Sequence, residues 1–204
     1  MKKSVINPDQ SYTFSDYFKL RIRTDEILAY FGYSKQNEQI NLPQYAGGIP
    51  QLQNLAAKIE EVLIHISLEN EITRREFLLA PIIFEVRHIT HAKLNSEYWI
   101  EINNQLKGSL DYYLKRENEL LVVEAKNADL TRAFTQLAVE LVAVDMASET
   151  DKNIIYGAVS TGQEWQFGRL NRAEKRFYQD IKTYTVPSNL EEILRILIGI
   201  LEAK

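Results

Sequence analysis

The spacing of apolar residues predicts two helices followed by three strands. Apolar positions recur every three or four residues over residues 50–68 and again over residues 69–86, which is typical of amphipathic helices. Pro81 should kink or interrupt the second helix, because proline has no N–H to donate. Short β-like runs follow at hairpin spacing, with turns near residues 103–107 and 115–118, and they cover YWIEI (98–102), GSLDYYL (108–114) and ELLVVEAK (119–126).

The remaining pattern predicts a long helix, more strands and a final helix. Asn127 or Asp129 can cap the long helix, whose apolar face runs from Leu130 to Val144. The later strands are NIIYGAVST (153–161), EWQFGRL (164–170) and FYQDIKTYTV (177–186), and the last helix spans Leu190 to Leu201. The order α, β, β, β, α, β, with flanking elements, indicates an α/β or α+β fold built on a mixed sheet.

Residues 1–50 differ from the rest of the chain. They are rich in aromatic residues and predict short helices, one capped by Ser15 and one running from a Thr24 cap to a stop at Gly32, before a loop, NLPQYAGGIP. The aromatic side chains could form a lid or a partner surface, but burial against a neighbour is the commoner use of such residues. We therefore expect an N-terminal extension, residues 1–50, packed on one main domain, residues 51–204.

Composition narrows the possible functions. The 204 residues are 45% hydrophobic, enough for one substantial core, and the formal net charge is −4. Binding to nucleic acid would therefore require a local basic patch. The absence of cysteine excludes disulfides and thiolate chemistry. No apolar run is long enough for a membrane helix and no secretory leader begins the chain, so we expect a cytoplasmic protein without a membrane partner.

Three polar residues at the ends of the second hairpin form the candidate site. Asp111 lies in one predicted strand, and Glu124 and Lys126 end the next, projecting to the same side because strand side chains alternate. Two carboxylates and the backbone carbonyl of Ala125 suit a hard divalent ion, Mg²⁺ or Mn²⁺. Such an ion activates water and neutralises charge on a phosphate, and Lys126 could position the water, help to deprotonate it or pair with the phosphate.

The alternative is that these are ordinary solvent-facing residues, with Lys126 paired to one of the acids. A short pattern of common residues would favour that interpretation if it stood alone. The context favours a site, because Glu124 ends the apolar run LLVV, an acidic helix precedes the strands and a helix follows Lys126 at once.

In this context the chain resembles the PD-(D/E)XK nuclease superfamily. Asp111 in GSLDYY and the triplet Glu124-Ala125-Lys126 match the family pattern, although Leu110 stands where many members have proline. Gln136 in RAFTQLAVEL resembles the glutamine that many members place beside the site. The resemblance implies a restriction-endonuclease-like αβββαβ core and metal-dependent hydrolysis of nucleic-acid phosphodiesters, with Asp111, Glu124, Lys126 and Gln136 in the site.

Within that superfamily, residues 68–172 look most like the nuclease domain of type I restriction enzyme motor subunits. The sequence Glu71-Ile72-Thr73-Arg74, the later Ala80-Pro81-Ile82 step and the Trp165 strand match that pattern. The resemblance makes Glu71 a possible acidic member of the site. The alternative for Glu71 is a first-turn acid stabilised by the helix dipole.

These observations lead to two functional expectations. The first is an Mg²⁺-dependent endonuclease that acts on DNA, although RNA is not separable from DNA at this level. The second is a non-catalytic binding or scaffold module of a defence or repair complex, as a homodimer or with other protein subunits. We expect no zinc site at His88 and His91, because no third ligand is near, and we expect Trp165 and Tyr112 or Tyr113 to pack in the core rather than stack on bases.

Overall fold

A seven-stranded mixed sheet forms the centre of the protein. The computed structural model describes residues 6–117, 119–125, 129–150 and 152–203. The strands are β1 (Ser34–Glu38), β2 (Lys93–Asn103), β3 (Leu106–Arg116), β4 (Glu119–Ala125), β5 (Ile154–Ser160), β6 (Glu164–Asn171) and β7 (Arg176–Thr185). They lie in the order β1-β7-β6-β5-β4-β3-β2. The β1–β7 and β4–β5 pairs are parallel and the other pairs are antiparallel.

The described residues form seven α-helices, which pack on the two faces of the sheet. They are α1 (Phe14–Lys19), α2 (Thr24–Tyr30), α3 (Leu52–His65), α4 (Glu71–Arg74), α5 (Ala80–Thr90), α6 (Leu130–Ala147) and α7 (Leu190–Glu202), and a π-helical turn (Arg75–Leu79) joins α4 to α5. The predicted mixed α/β class is confirmed, and the chain order α5-β2-β3-β4-α6-β5 follows the predicted order. Within the described ranges, none of the helices has the length and hydrophobicity that a membrane crossing requires.

The sheet is covered on both faces, and β4 shows why its sequence is a nearly continuous apolar run. Leu121 and Val123 pack in the cluster that contains α5 and α7, whereas Val122 packs in the cluster that contains α6. A strand that is buried on both faces needs apolar side chains at successive positions. Any charged residue in β4 must therefore find its partner inside the protein.

The β2–β3 hairpin changes the layer against which it packs. Leu110 is buried in the α6 cluster, but Tyr112, two residues later, is buried in the α5 and α7 cluster. Asp111 lies between them, and Glu97, on the facing part of β2, has a left-handed φ of 50° and no partner in the β2–β3 register. Asp111 therefore sits where the hairpin passes from one layer to the other.

The interruption expected at Pro81 occurs one turn earlier. The N–H of Ala80 donates to the carbonyl of Arg75, five residues before it, which defines a π-helical turn, and α5 then begins with Pro81 in its first turn. A proline in the first turn of a helix costs little, because N–H groups there have no intrahelical partner. The wider turn thus lets the helix continue through Pro81 instead of ending there.

Strand β1 was not predicted, and two helix starts were predicted wrongly. Ser34–Glu38 is polar throughout, so no apolar alternation marks it, and its pairing with the edge of β7 defines it as a strand. Thr13, not Ser15, is the N-cap of α1, and its N–H and hydroxyl both donate to the carboxylate of Asp16. Thr24 is the first residue of α2 and not its cap.

Gly199 in α7 should resist substitution. A Cβ at this position would lie 2.7 Å from the carbonyl oxygen of Pro43. Alanine favours a helix over glycine by about 1 kcal/mol, but the backbone of the 43–44 loop would have to move. We expect Gly199→Ala to lower the free energy of unfolding by roughly 1–3 kcal/mol, measured by urea denaturation.

Gly48→Ala is the matched control, because a Cβ there meets no atom within 4 Å. It should change the free energy of unfolding by less than about 1 kcal/mol. A stabilised Gly199→Ala variant would show that the loop over α7 is not closely packed.

Candidate active site

Asp111 and Ala125 are joined by a hydrogen bond between β3 and β4. The paired register of these strands ends at Tyr112 and Val123, so Asp111 and Glu124 occupy the positions that would pair next. There the N–H of Ala125 donates to Oδ2 of Asp111 at 2.8 Å. The carboxylate of Asp111 thus takes the place of a main-chain acceptor, and it lies beside the peptide that follows Glu124.

Glu124 is held by a side chain of α6. Nε2 of Gln136 donates to Oε1 of Glu124 at 2.5 Å and to Oε1 of Glu140 at 2.8 Å. Glu124 is 1% exposed, Gln136 is 3% exposed and Glu140 is 0% exposed. Buried carboxylates are costly unless hydrogen bonds satisfy them. One amide group therefore orients two buried acids and fixes the rotamer of Glu124.

Arg75, in the π-helical turn, brings a positive charge to the other side of Asp111. Its Nη1 lies 3.3 Å from Oδ1 of Asp111 and also contacts the carboxylate of Glu97. Burial of the guanidinium lowers the pKa of Arg75, but the hydrogen bond to Glu97 and the charge of Asp111 outweigh this effect and raise it. The two oxygens of Asp111 thus accept from different elements.

The structure brings some of the predicted site residues together and not others. Asp111 and Ala125 are in contact, and Gln136 contacts Glu124. Lys126 lies outside the described residues. Glu71 begins α4 and is half-buried, and among the described residues no hydrogen bond or ion pair joins it to Asp111 or Glu124.

The predictions from sequence missed two acids of this region. Glu140 follows Gln136 by four residues, so helical periodicity places both on one face of α6, and this spacing could have revealed it. Glu97 gives no comparable signal, because its contact with Arg75 depends on the irregular backbone of β2. The contact of Arg75 with Asp111 was not predicted either.

The aromatic residues follow the expectation of packing in the core. Trp165 is fully buried and Tyr112 nearly so, so packing in the core is confirmed for both. Tyr113 stacks on Tyr98 with ring centroids 5.1 Å apart, and burial raises the pKa of Tyr113 to about 12. Searching the described residues reveals no group of three or more metal-binding side chains, at His88 and His91 or elsewhere.

The donor atoms of the site are all oxygens, which suit a hard divalent ion such as Mg²⁺ or Mn²⁺ better than a softer metal such as Zn²⁺. Asp111 and Glu124 supply carboxylate oxygens, and the carbonyl of Ala125 belongs to the residue whose N–H contacts Asp111. Magnesium binds oxygen, keeps several waters and needs only one or two protein carboxylates. Two acids on neighbouring strands are therefore enough for such an ion.

An open cleft of about 640 Å³ adjoins this end of the sheet. Ala125 pairs with Ser160 at the carboxyl ends of β4 and β5, and the next residue, Thr161, lines the cleft. Arg74 lines it too and points its guanidinium toward the carbonyl of Thr161, at 3.4 Å. The other lining residues include Asp129, Leu130, Thr131, Gln163 and Glu164. The cleft thus opens beside the carboxyl ends of β4 and β5, whereas Glu124 itself is 1% exposed.

No protein-family model and no curated protein sequence matches this chain.

The hydrogen bonds of Gln136 predict a large effect on stability. Gln136→Leu keeps the volume of the side chain but removes the donor that two buried carboxylates share. We expect the free energy of unfolding to fall by at least about 2 kcal/mol, measured by chemical denaturation at neutral pH.

Gln53→Leu provides the comparison, since Gln53 is exposed on α3. It should change stability by less than about 0.5 kcal/mol. Equal stability of the two variants would mean that Gln136 does not satisfy the buried acids.

Proposed function

We propose that the protein is a metal-dependent nuclease that hydrolyses phosphodiester bonds of DNA. The observation that supports this most directly is the hydrogen bond between the N–H of Ala125 and Asp111, because it brings the Asp111 carboxylate next to the Glu124-Ala125 peptide. Both acids then belong to one small site at the open end of the sheet. This is the arrangement that the resemblance to the PD-(D/E)XK superfamily implies.

Asp111, Glu124 and the carbonyl of Ala125 would hold Mg²⁺ or Mn²⁺. When bound, such an ion lowers the pKa of water and neutralises charge on a phosphate oxygen. Gln136 orients the buried Glu124 carboxylate, and Glu140 accepts a second hydrogen bond from the same nitrogen, Nε2 of Gln136. The acids are thereby positioned before a substrate arrives, which lowers the cost of assembling the site.

The cationic residues have roles that follow from their chemistry. Arg75 is a planar donor at the edge of the site and can exchange Asp111 for a phosphate oxygen, which guanidinium groups bind well. Lys126 follows Ala125 directly and is proposed to help to remove the proton from the attacking water. That water forms the new P–O bond, the bond to the leaving sugar oxygen breaks, and this oxygen takes up a proton.

Substitution of the acids tests this proposal. Asp111→Asn and Glu124→Gln should each lower the rate of DNA cleavage with Mg²⁺ or Mn²⁺ by on the order of a hundredfold or more. Cleavage of labelled single- and double-stranded DNA, resolved by gel electrophoresis, measures the rate. Circular dichroism establishes that each variant is folded.

Glu60→Gln serves as the control, because Glu60 is exposed on α3, and it should cleave at the wild-type rate. Wild-type protein that cleaves no DNA or RNA with either metal would overturn the enzyme proposal.

A second candidate is a non-catalytic binding or scaffold module. The observation in its favour is that protein donors already contact both acids, with Arg75 on Asp111 and Gln136 on Glu124. In a scaffold these contacts would be permanent, and no metal would compete for them. The two functions therefore differ in metal binding and not in fold.

Calorimetric titration with Mn²⁺ distinguishes the two candidates. The nuclease proposal predicts binding that Asp111→Asn abolishes and that Arg75→Gln strengthens, because the guanidinium no longer competes for Asp111. Absence of Mn²⁺ binding in both wild type and Arg75→Gln would favour the scaffold.

A further inference from the structure

A second cleft lies beside the N-terminal region of the chain. It has a volume of about 740 Å³ and opens between the segment that precedes and begins α2, strand β1 and the first turns of α6. Its walls are formed by Leu20–Asp25, by Lys35, Gln36 and Asn37, and by Thr131, Arg132 and Thr135. Much of this wall comes from residues 20–37, which lie outside the region that resembles the nuclease superfamily.

The charge of this cleft is opposite in sign to that of the whole protein. Four basic residues and one acid, Asp25, are among the described residues that line it, in a protein whose net charge is −4, and the basic residues are Arg21, Arg23, Lys35 and Arg132. Arg21, Arg23 and Arg132 are exposed at its surface. A local excess of positive charge of this kind raises the concentration of polyanions at the surface.

The side chains at the centre of the cleft act on one another. Nε and Nη2 of Arg23 donate to the two carboxylate oxygens of Asp25, at 3.0 and 2.8 Å, respectively. Lys35 is half-buried nearby, and burial, opposed by Asp25 and assisted by Arg23, lowers the pKa of its ammonium. An anion in the cleft would relieve this unfavourable placement of the Lys35 charge.

This cleft meets, at Thr131, the cleft that lies at the carboxyl ends of β4 and β5. Thr131 lines both this cleft and the 640 Å³ cleft beside β5. The 640 Å³ cleft reaches Thr161, directly after the Ser160 partner of Ala125, and Arg74, directly before the Arg75 partner of Asp111. A chain of phosphates can therefore lie across Thr131 with one part against the basic cleft and another near the acids.

We propose that residues 20–37 and the first turns of α6 form a binding track for the phosphate backbone of a nucleic acid. Arg21 and Lys35 bind successive phosphates, and Arg23 and Arg132 add two further charges while they are paired with Asp25 and Asp129, respectively. This inference rests on the proposed nuclease function and assigns part of the substrate binding to the N-terminal segment. Recognition is electrostatic, so the track binds the backbone without regard to base sequence.

Charge reversal on the exposed walls of the track tests the proposal. Fluorescence anisotropy with labelled single-stranded and duplex DNA, in EDTA so that nothing is cleaved, should show about tenfold weaker binding for the double variant Arg21→Glu, Arg132→Glu. The slope of log Kd against log salt should decrease by about two, one for each lost cation. Both side chains are exposed, so circular dichroism and thermal unfolding should match the wild type.

Lys58→Glu, Arg87→Glu is the matched control, with the same change of charge on exposed parts of α3 and α5. Its affinity for DNA should stay within about twofold of the wild-type value. The slope of log Kd against log salt should stay within about 0.5 of the wild-type slope. Loss of binding to either form of DNA in the track variant, but not in this control, supports the proposal. Equal effects of the two double variants would overturn it.

The binding measured by anisotropy can be interpreted whether or not the protein cleaves DNA. Binding that requires the track, in a protein that cleaves nothing, would retain this inference and reject the nuclease. Cleavage at the wild-type rate and affinity by the track variant would retain the nuclease and reject the track.

Discussion

The burial of the Glu124 carboxylate is the constraint on which the rest of the site depends. Glu124 lies near the end of β4, a strand that is covered on both faces. Its carboxyl group therefore requires a hydrogen-bond donor from inside the protein, and α6 is the helix that packs there. Gln136 supplies that donor, and Glu140 holds the same amide. The position of α6 over β4 therefore determines the orientation of one acid, while the end of the β3–β4 register determines the place of the other, Asp111.

Much of the fold was predictable because its signals are local. The helical spacing over residues 52–65 and 190–202 and the apolar runs of β4 and β5 each identify an element without knowledge of its neighbours. The presence of a partner for Gln136 was predictable for a related reason, since a glutamine beside a buried helix face must satisfy its amide. The identity of that partner, Glu124, was not predicted, because it depends on the packing of α6 over β4.

The features that escaped prediction are those that distant parts of the chain decide. Strand β1 has no apolar pattern and exists because the edge of β7 offers main-chain groups to pair. The π-helical turn depends on how α5 packs after Pro81, and it sets the position from which Arg75 reaches Asp111. Glu97 joins the site through a left-handed φ that a glutamate rarely adopts, so its residue type gave no indication.

The pairing of β1 with β7 has a consequence for the order of folding. Ser34 and Arg176, which meet at the start of this pair, are 142 positions apart in the chain, so their contact closes a long loop. Contacts between residues so far apart in the chain form late in folding. Closing the long loop costs entropy, and contacts elsewhere in the protein must first offset that cost. Lys35 lies in β1, and the basic wall it belongs to is therefore completed after the strands that carry the acids. A partly folded chain would hold its two carboxylates without the surface that we propose to bind nucleic acid.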